Sequence, residues 1–412
     1  MKITHVSGQE IYDSRGIPTV LCSIVLDNAF IVSASVPSGL SRGTHEAVEL
    51  RDGGKRLWGM GVRSAIASLE KNIAPLLMDK EPNMVEMDIA MIEADGTVDK
   101  HNFGANAMLA ASIALCRAQS HILGIEPYVF IAHLCQQETV SIPIPCVNVI
   151  NGGRHADNNI FIQEIMLVPL GMQTFSQAFE AILTVNSTLK ELLKKANKRI
   201  CVGDEGGFAP DVETQKQALD FVCQAIALHE QDFDGHFALA LDMAASQWYD
   251  PSRSIYILDG QEHAAQDLID WYEQLIAGYP IYMLEDGLSD CDWLGWQQMT
   301  ERLGNNVKII GDDIFATHPT RIWQGIEHKA AHGSIIKPNQ IGTITETLQA
   351  AQLCLEHNWM AVISHRSGET VDPFVADIAV GTSAGYIKGG GCSHGESMAK
   401  YNRLLEIETT LL

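Results

Sequence analysis

Ionisable side chains end a series of short apolar runs in the second half of this 412-residue sequence. Asp242 ends FALALD, Glu285 ends IYMLE, Asp312 ends VKIIGD, Lys337 ends SIIK and Lys388 ends GYIK. A sixth run, AVISHR, ends at His365 and Arg366, so the intervals from Asp242 to Arg366 are 43, 27, 25 and 29 residues. They are close to the roughly 30 residues of one βα unit. Because the carboxyl ends of the strands of a (β/α)8 barrel meet at one face, we expect these groups to share one mouth.

These residues could act together as a base, Lys337, and a metal site that assists it. Asp242, Glu285 and Asp312 would repel one another unless protons or a cation neutralised them, and Mg²⁺ prefers such oxygen ligands. Lys337 needs a pKa about 3 units below its usual ~10.4 to act as a base, a difference of roughly 4 kcal/mol. Burial, Lys388 and bound metal lower the pKa of Lys337, whereas the carboxylates raise it. The metal is therefore expected to bind first.

Composition restricts the class of protein. Twenty-eight Lys and Arg residues against 51 Asp and Glu give a formal charge of −23, which disfavours nucleic acid and anionic membranes as partners. The nine cysteines form no CxxC pair, which indicates reduced thiols and a cytoplasmic protein. The sequence shows no signal-peptide pattern at its start and no apolar run long enough for a membrane span, so we expect neither.

Two domains are expected from the order of the patterns. Residues 19–36 predict two strands around a turn at Asp27 and Asn28, and residues 61–77 and 104–123 predict helices, so residues 1–130 are interpreted as a small α+β domain. From residue 138 onward, short apolar runs alternate with helical patterns such as 174–198. This alternation predicts an α/β barrel over residues 138–412.

The sequence resembles the enolase family over essentially its whole length. The resemblance rests on the order and spacing of motifs that include DSRG (13–16), NGGRHADNN (151–159), VGDEGGFAP (202–210), LEDG (284–287), KPNQIGT (337–343) and SHRSGET (364–370). It implies an N-terminal α+β domain that caps a modified eight-stranded α/β barrel.

The resemblance also implies a reaction, the dehydration of 2-phosphoglycerate to phosphoenolpyruvate in glycolysis. Lys337 would take the α-proton, and Glu205 would assist loss of the 3-hydroxyl. Two Mg²⁺ ions are implied, the first on Asp242, Glu285 and Asp312, and the second held with the help of Ser41. The implied substrate-binding residues are His155, Gln163, Glu164, His365, Arg366, Ser367 and Lys388.

Several residues depart from the family pattern around this set. Leu40 and Arg42 stand in the loop of Ser41, Ile17 follows DSRG, and Gln247 stands where Glu is usual. Two Arg–Glu pairs that commonly cross the family's dimer interface become Gln9 with Glu396 and Leu21 with Glu406. We therefore expect a homodimer or higher homo-oligomer with an altered interface.

Two alternatives to an active enolase remain open from the sequence. A paralogue could perform the same proton abstraction on a related phosphonate or phospho-carboxylate, which an inward-pointing Arg42 would favour. A non-catalytic structural or surface-binding protein could retain the fold, with display at the cell surface. Unpaired buried charges destabilise a fold, so a chain without catalysis has no physical reason to retain this set of acids and lysines.

Overall fold

The computed structural model describes residues 1–39, 43–258 and 260–411. The chain begins with an antiparallel sheet of three strands, β1 (Ile3–Tyr12), β2 (Pro18–Leu26) and β3 (Ile31–Ser35). The two strands predicted within 19–36 are confirmed as β2 and β3. Strand β1 was not predicted, because its polar side chains alternate with few apolar ones and give a weak strand pattern.

Helices cover one face of this sheet. The predicted helix over 61–77 is divided by a π-helical turn at Leu69–Ile73, and the helix predicted over 104–123 begins one residue later. That second helix is largely buried and packs against β2 and β3. The helices of this part are α1 (Arg63–Ser68), α2 (Ala74–Leu77), α3 (Met84–Asp95), α4 (Ala105–Leu123) and α5 (Pro127–Leu134).

Eight further strands close into a barrel: β4 (Ile144–Asn151), β5 (Glu164–Leu170), β6 (His236–Asp242), β10 (Ile281–Glu285), β11 (Lys308–Gly311), β12 (Gly333–Ile336), β13 (Met360–Ser364) and β14 (Tyr386–Gly391). Their order around the barrel is β10-β11-β12-β13-β14-β4-β5-β6. Seven run parallel, but β5 is antiparallel to both of its neighbours, β4 and β6. The barrel is therefore of the modified, enolase-like kind that the resemblance implied.

The remaining elements surround the barrel. A small antiparallel sheet follows β6 and consists of β7 (Tyr249–Asp250), β8 (Ile255–Leu258) and β9 (Gln261–His263). The helices are α6 (Phe175–Lys195), α7 (Gln215–Ala227), α8 (Ala265–Gly278), α9 (Trp293–Leu303), α10 (Pro319–His328), α11 (Pro338–Ile341), α12 (Ile344–Glu356), α13 (Phe374–Gly381) and α14 (Gly395–Leu411). The helix predicted over 174–198 is confirmed as α6.

The interior of the barrel shows how the strands place the ionisable side chains at its mouth. Its apolar filling comes from Cys146, Met166, Val168, Ala240, Met283, Ile310, Ile335 and Val362. Because side chains on a strand alternate between two faces, the residue two positions further along also points inward. Two positions beyond Ala240, Met283 and Ile310 are Asp242, Glu285 and Asp312. Strand β5 runs in the opposite direction, so its ionisable residue at the same end of the barrel, Glu164, comes two positions before Met166 in the sequence.

No single helix in the described ranges is both long and apolar enough to cross a bilayer. Helices α4 and α5 meet the length and composition criteria only when taken together, and they are bent by 98° relative to each other.

Candidate active site

One cavity at the carboxyl ends of the barrel strands brings the predicted site residues together. Its lining includes Lys337, Glu205, Asp242, Asp312 and Lys388, together with the predicted substrate-binding residues His155, Gln163, Glu164, His365, Arg366 and Ser367. Glu285 joins this set through its contact with Lys388. Ser41, the ligand expected for a second metal, lies outside the described residues, as does Arg42.

Lys388 lies at the centre of the buried acids. Its Nζ is 2.9 Å and 3.0 Å from the two carboxylate oxygens of Glu285, 3.3 Å from Asp242 Oδ2 and 3.2 Å from Glu164 Oε1. Burial lowers the pKa of Lys388, but the three carboxylates raise it well above its ordinary value. Removal of this cation would leave three buried carboxyls without the ammonium that they share, which is destabilising.

Lys337 follows strand β12, as the sequence predicted, and its ammonium forms an ion pair with Asp312. Gln340 holds the other oxygen of Asp312 at 2.9 Å, and Thr317 accepts the Lys337 backbone N–H at 2.8 Å. Burial lowers the pKa of Lys337, but Asp312 and Glu285 raise it, and the resulting pKa lies above the ordinary value. The expected lowering by burial and Lys388 is therefore outweighed by the carboxylates.

A second group of ionisable side chains surrounds Glu205. His155 Nδ1 lies 3.6 Å from one oxygen of Glu205 and 3.5 Å from Glu164, and His365 Nε2 lies 3.6 Å from the other oxygen of Glu205. Burial and the charge of Glu205 raise the pKa of Glu164 well above its ordinary value. Burial also raises the pKa of Glu205, but the two histidines outweigh it and bring the pKa of Glu205 well below its ordinary value. Neighbouring carboxyls with pKa values driven apart are suited to hold and to release a proton.

Two glutamine side chains connect the rim of the cavity to the acids. Gln247 donates to Gln163 Oε1 at 2.5 Å, and Gln163 donates to Asp242 Oδ2 at 3.2 Å. Gln163 precedes β5, and Gln247 lies in a single 3₁₀ turn after β6 (Ala245–Trp248). The departure from the family pattern at 247 therefore lies in the site, where an amide can donate and a carboxylate cannot.

The predicted anion-binding residues follow strand β13. The Arg366 guanidinium forms a two-pronged pair with Glu46, with distances of 2.7 Å and 3.2 Å, and donates to Asn339 Oδ1 at 3.1 Å. Ser367 Oγ accepts from Arg15 Nη1 at 3.3 Å. Glu46 and Arg15 both come from the N-terminal part of the chain, so that part contributes to this side of the cavity.

Besides Glu46, two acids in the lining were not predicted, Asp286 and Asp313. Asp286 accepts the backbone N–H groups of Asp312 at 2.8 Å and of Asp313 at 3.0 Å, and thereby fixes the turn after β11. Both residues directly follow a predicted ligand in the sequence, in LED and GDD. The presence of two consecutive acids at each of these places was the sequence signal that could have identified them.

Some of the acids of the cavity lie close enough together to hold a metal ion. Within the described ranges, the ligand atoms that lie within 4.8 Å of one another belong to two groups, Asp286 with Asp312 and Asp313, and His155 with Glu164 and Glu205. The predicted trio does not form such a group, because Lys388 lies between Asp242 and Glu285 while Lys337 holds Asp312. The first group offers only carboxylate oxygens, which fits a hard divalent cation.

Comparison with known proteins gives the family. Residues 3–131 match the model described as "Enolase, N-terminal domain", and residues 139–412 match "Enolase, C-terminal TIM barrel domain". The enolase of Corynebacterium kroppenstedtii is 41% identical over 415 aligned positions, which cover 100% of this chain and 96% of the relative. The enolase of Natranaerobius thermophilus is 42% identical over 410, covering 99% and 95%. The family and the lyase class predicted from the motifs are thereby confirmed, and the chain belongs to the enolase family.

Proposed function

We propose that this protein catalyses the Mg²⁺-dependent dehydration of 2-phospho-D-glycerate to phosphoenolpyruvate. The observation that carries the proposal is the meeting of a lysine base, a second lysine and a histidine-bound glutamate around one cavity. Lys337 and Glu205 belong to separate clusters of that cavity, as a base and an acid acting on opposite ends of a substrate bond would require.

In this proposal, Lys337 Nζ takes the proton from the carbon next to the substrate carboxylate. Glu205 passes to the 3-hydroxyl a proton drawn from Glu164, whose raised pKa allows it to hold one and which His155 contacts together with Glu205. The hydroxyl leaves as water, while the electron pair left on the carbon forms the double bond. Lys388 binds the substrate carboxylate, and Arg366 and Ser367 bind the phosphate. His155, Gln163, Glu164 and His365 orient the substrate and Glu205.

Mg²⁺ is proposed as the cofactor, with two ions in each site. Asp242, Glu285 and Asp312 would hold the first ion, with Ser41 helping to hold the second. When bound, the metal would stabilise the second negative charge on the substrate carboxylate, and it would compete with Lys337 for Asp312. The carboxylates of the cavity support a divalent cation, and the group with ligand atoms within 4.8 Å of one another, Asp286, Asp312 and Asp313, shares Asp312 with this trio.

An ultraviolet assay tests the proposed function. Wild-type protein with Mg²⁺ and 2-phosphoglycerate should produce the absorbance of phosphoenolpyruvate, and chelation of the metal should abolish it. Lys337→Ala should be inactive, whereas Lys195→Ala, which removes an exposed lysine of α6, should keep wild-type activity. Absence of product from the metal-loaded wild type would refute the proposal and leave the paralogue or the non-catalytic protein.

The domain boundaries, the cellular location and the assembly of the protein are proposals as well. We propose a division into domains 1–130 and 138–412, a cytoplasmic location, and a homodimer or higher homo-oligomer with an altered interface. The small-molecule substrate is the proposed partner, and the charge of −23 supports the expectation that nucleic acid is not one.

A further inference from the structure

The segment that holds Arg366 and Ser367 is fastened to the N-terminal sheet domain by backbone hydrogen bonds. Ser38 N donates to Gly368 O at 2.7 Å, and Gly368 N donates to Ser38 O at 3.1 Å. Ser14 N donates to the carbonyl of Glu369 at 2.8 Å. Residues from both ends of the chain therefore form one backbone junction beside the proposed anion site.

Arg15 is the charged side chain at this junction. Its Nη1 donates to Ser367 Oγ at 3.3 Å, and its Nη2 lies 3.2 Å from Asp13 Oδ2, Ser38 O and Ser38 Oγ. Ser38 Oγ in turn donates to Asp13 Oδ2 at 2.7 Å. The Arg15 side chain is only 13% exposed. A planar guanidinium can make such contacts in two directions at once, which an ammonium on a flexible stem cannot.

The contact with Ser367 fixes the direction of the serine hydroxyl. Arginine has only donors, whereas a hydroxyl has one donor and two acceptor lone pairs. Arg15 therefore occupies a lone pair of Ser367 Oγ, and the hydroxyl proton must point away from Arg15. Ser367 lines the cavity, so the contact with Arg15 turns this hydroxyl toward the side where a phosphate oxygen would lie.

Gly368 shows how closely the guanidinium is packed. A Cβ on Gly368 would lie 2.2 Å from Arg15 Nη2, 2.3 Å from Asp13 Oδ2 and 2.6 Å from Ser38 O. Any larger residue would displace the guanidinium. Arg15 Nε is buried and has no acceptor within the described ranges, and an unsatisfied buried donor costs stability. These features indicate that Arg15 is held for the site and not for stability alone.

We propose that Arg15 is a positioning residue for the anionic group of the substrate: it fixes the Arg366–Gly368 segment and orients the Ser367 hydroxyl as a donor. The proposal deepens the proposed function, on which it rests for the identity of the anion as the substrate phosphate. It also gives the N-terminal sheet domain a part in substrate binding.

The first experiment compares Arg15→Gln with Arg199→Gln, which removes an exposed arginine whose ion pair with Asp211 lies elsewhere. Arg15→Gln should raise KM for 2-phosphoglycerate about tenfold, the order expected for one lost hydrogen bond beside a charged group. The value of kcat should change by less than about twofold. Arg15→Lys keeps the charge without the planar fork and should fall between the two. A fall in kcat with KM unchanged would overturn the proposal.

A second measurement separates this proposal from the proposed function. Calorimetric titration with inorganic phosphate, in the presence of Mg²⁺, should show weaker binding by a similar factor in Arg15→Gln and no change in Arg199→Gln. If the wild type binds phosphate but makes no phosphoenolpyruvate, only the proposed function fails. If the wild type binds no phosphate, or if Arg15→Gln binds it as tightly as the wild type, the role of Arg15 is refuted.

Two further variants distinguish positioning from structural support. In a Ser367→Ala background, Arg15→Gln should weaken phosphate binding by less than about twofold, because the two residues act through one hydroxyl. Gly368→Ala should reproduce the weaker binding with Arg15 still present. If the effects of Arg15→Gln and Ser367→Ala simply multiply, Arg15 does not act through Ser367. Should Arg15→Gln fail to fold, Arg15→Lys and Gly368→Ala provide the same comparison.

Discussion

At the scale of single residues, the site is a balance of buried charges. Lys388 forms ion pairs with three carboxylates, and Lys337 forms one with Asp312. Two histidines lie against Glu205. Each cation is buried, and each would be costly without its acids. The Lys337 ammonium, held by Asp312, must lose that contact and one of its own protons before Lys337 can accept the substrate proton, so the charge balance and the reactivity are coupled.

The separate roles of Lys337 and Glu205 give one prediction. Lys337→Ala should abolish exchange of the α-proton of 2-phosphoglycerate with deuterated solvent, because the proton acceptor is gone. Glu205→Gln should stop elimination but retain some exchange, because the base remains. Proton NMR follows the exchange, and phosphoenolpyruvate absorbance follows the elimination. Near-normal exchange in Lys337→Ala would show that another residue is the base.

Gln247 gives a second prediction, which concerns its amide. Gln247→Glu replaces the donor to Gln163 by an acceptor, so the Gln163 amide must turn and place its oxygen against Asp242. The change removes one hydrogen bond to a charged group, and the free energy of unfolding should fall by about 1.5–3 kcal/mol. Urea unfolding measures this.

Gln231→Glu, at an exposed position, is the matched control and should change the free energy of unfolding by less than about 0.5 kcal/mol. Equal stability of Gln247→Glu and the wild type would show that the Gln247–Gln163–Asp242 chain contributes nothing to the fold.

At the scale of elements, a buried carboxyl joins the N-terminal helices to the barrel. Asp88 of α3 accepts from Ser112 of α4 at 2.8 Å and from the backbone and hydroxyl of Thr345 in α12 at 3.0 Å and 2.7 Å. All three bonds go to one oxygen, and the other has no partner within the described part of the chain. Burial raises the pKa of Asp88 from 3.8 to about 6.

This raised pKa predicts how stability depends on pH. The folded chain holds the Asp88 proton more tightly than the unfolded chain, so Asp88 destabilises the fold progressively as pH rises from about 4 to above 6, by about 3 kcal/mol in all. Asp88→Asn does not titrate, so its stability relative to the wild type should increase over that window. Urea unfolding between pH 4 and pH 7 checks this.

Asp234→Asn, at an exposed position, is the control and should keep a constant difference from the wild type. If the difference between Asp88→Asn and the wild type were equally constant over this pH range, Asp88 would have an ordinary pKa and would not oppose folding at neutral pH.

At the scale of the whole molecule, the two glutamates of the altered dimer pairs contact residues of their own chain. Glu396 lies 3.3 Å from His394, and Glu406 lies 2.9 Å from Arg403. Gln9 is exposed and Leu21 is half-buried. Because both glutamates contact a basic side chain of their own chain, the missing partners at Gln9 and Leu21 cost less than two isolated charges would.

The prediction for assembly is a weak, reversible dimer. Sedimentation velocity at micromolar concentration should show an average mass that rises with concentration. Gln9→Arg should tighten association, because it restores a cation for Glu396 across the expected interface, whereas Thr4→Arg on the same strand should not. A tight dimer or octamer without concentration dependence would show that the interface is not weakened.

The sequence by itself determined which residues meet at the mouth of the barrel. Asp242, Glu285, Asp312, Lys337 and Lys388 each end or follow a short apolar run, and strand alternation places them one layer above the apolar filling. This is local information, since it depends only on the period of two along each strand. The family motifs supplied the remaining site residues and the overall fold.

Only the tertiary structure decided how these groups pair. The antiparallel direction of β5 brings Glu164 next to Lys388, and strand direction depends on pairing between distant segments. Asp286 and Asp313 entered the site through the turn after β11. Arg15 reaches Ser367 across 352 residues of sequence. Such contacts depend on register, exclusion of water and the sum of many buried charges, none of which is encoded within a short window of the chain.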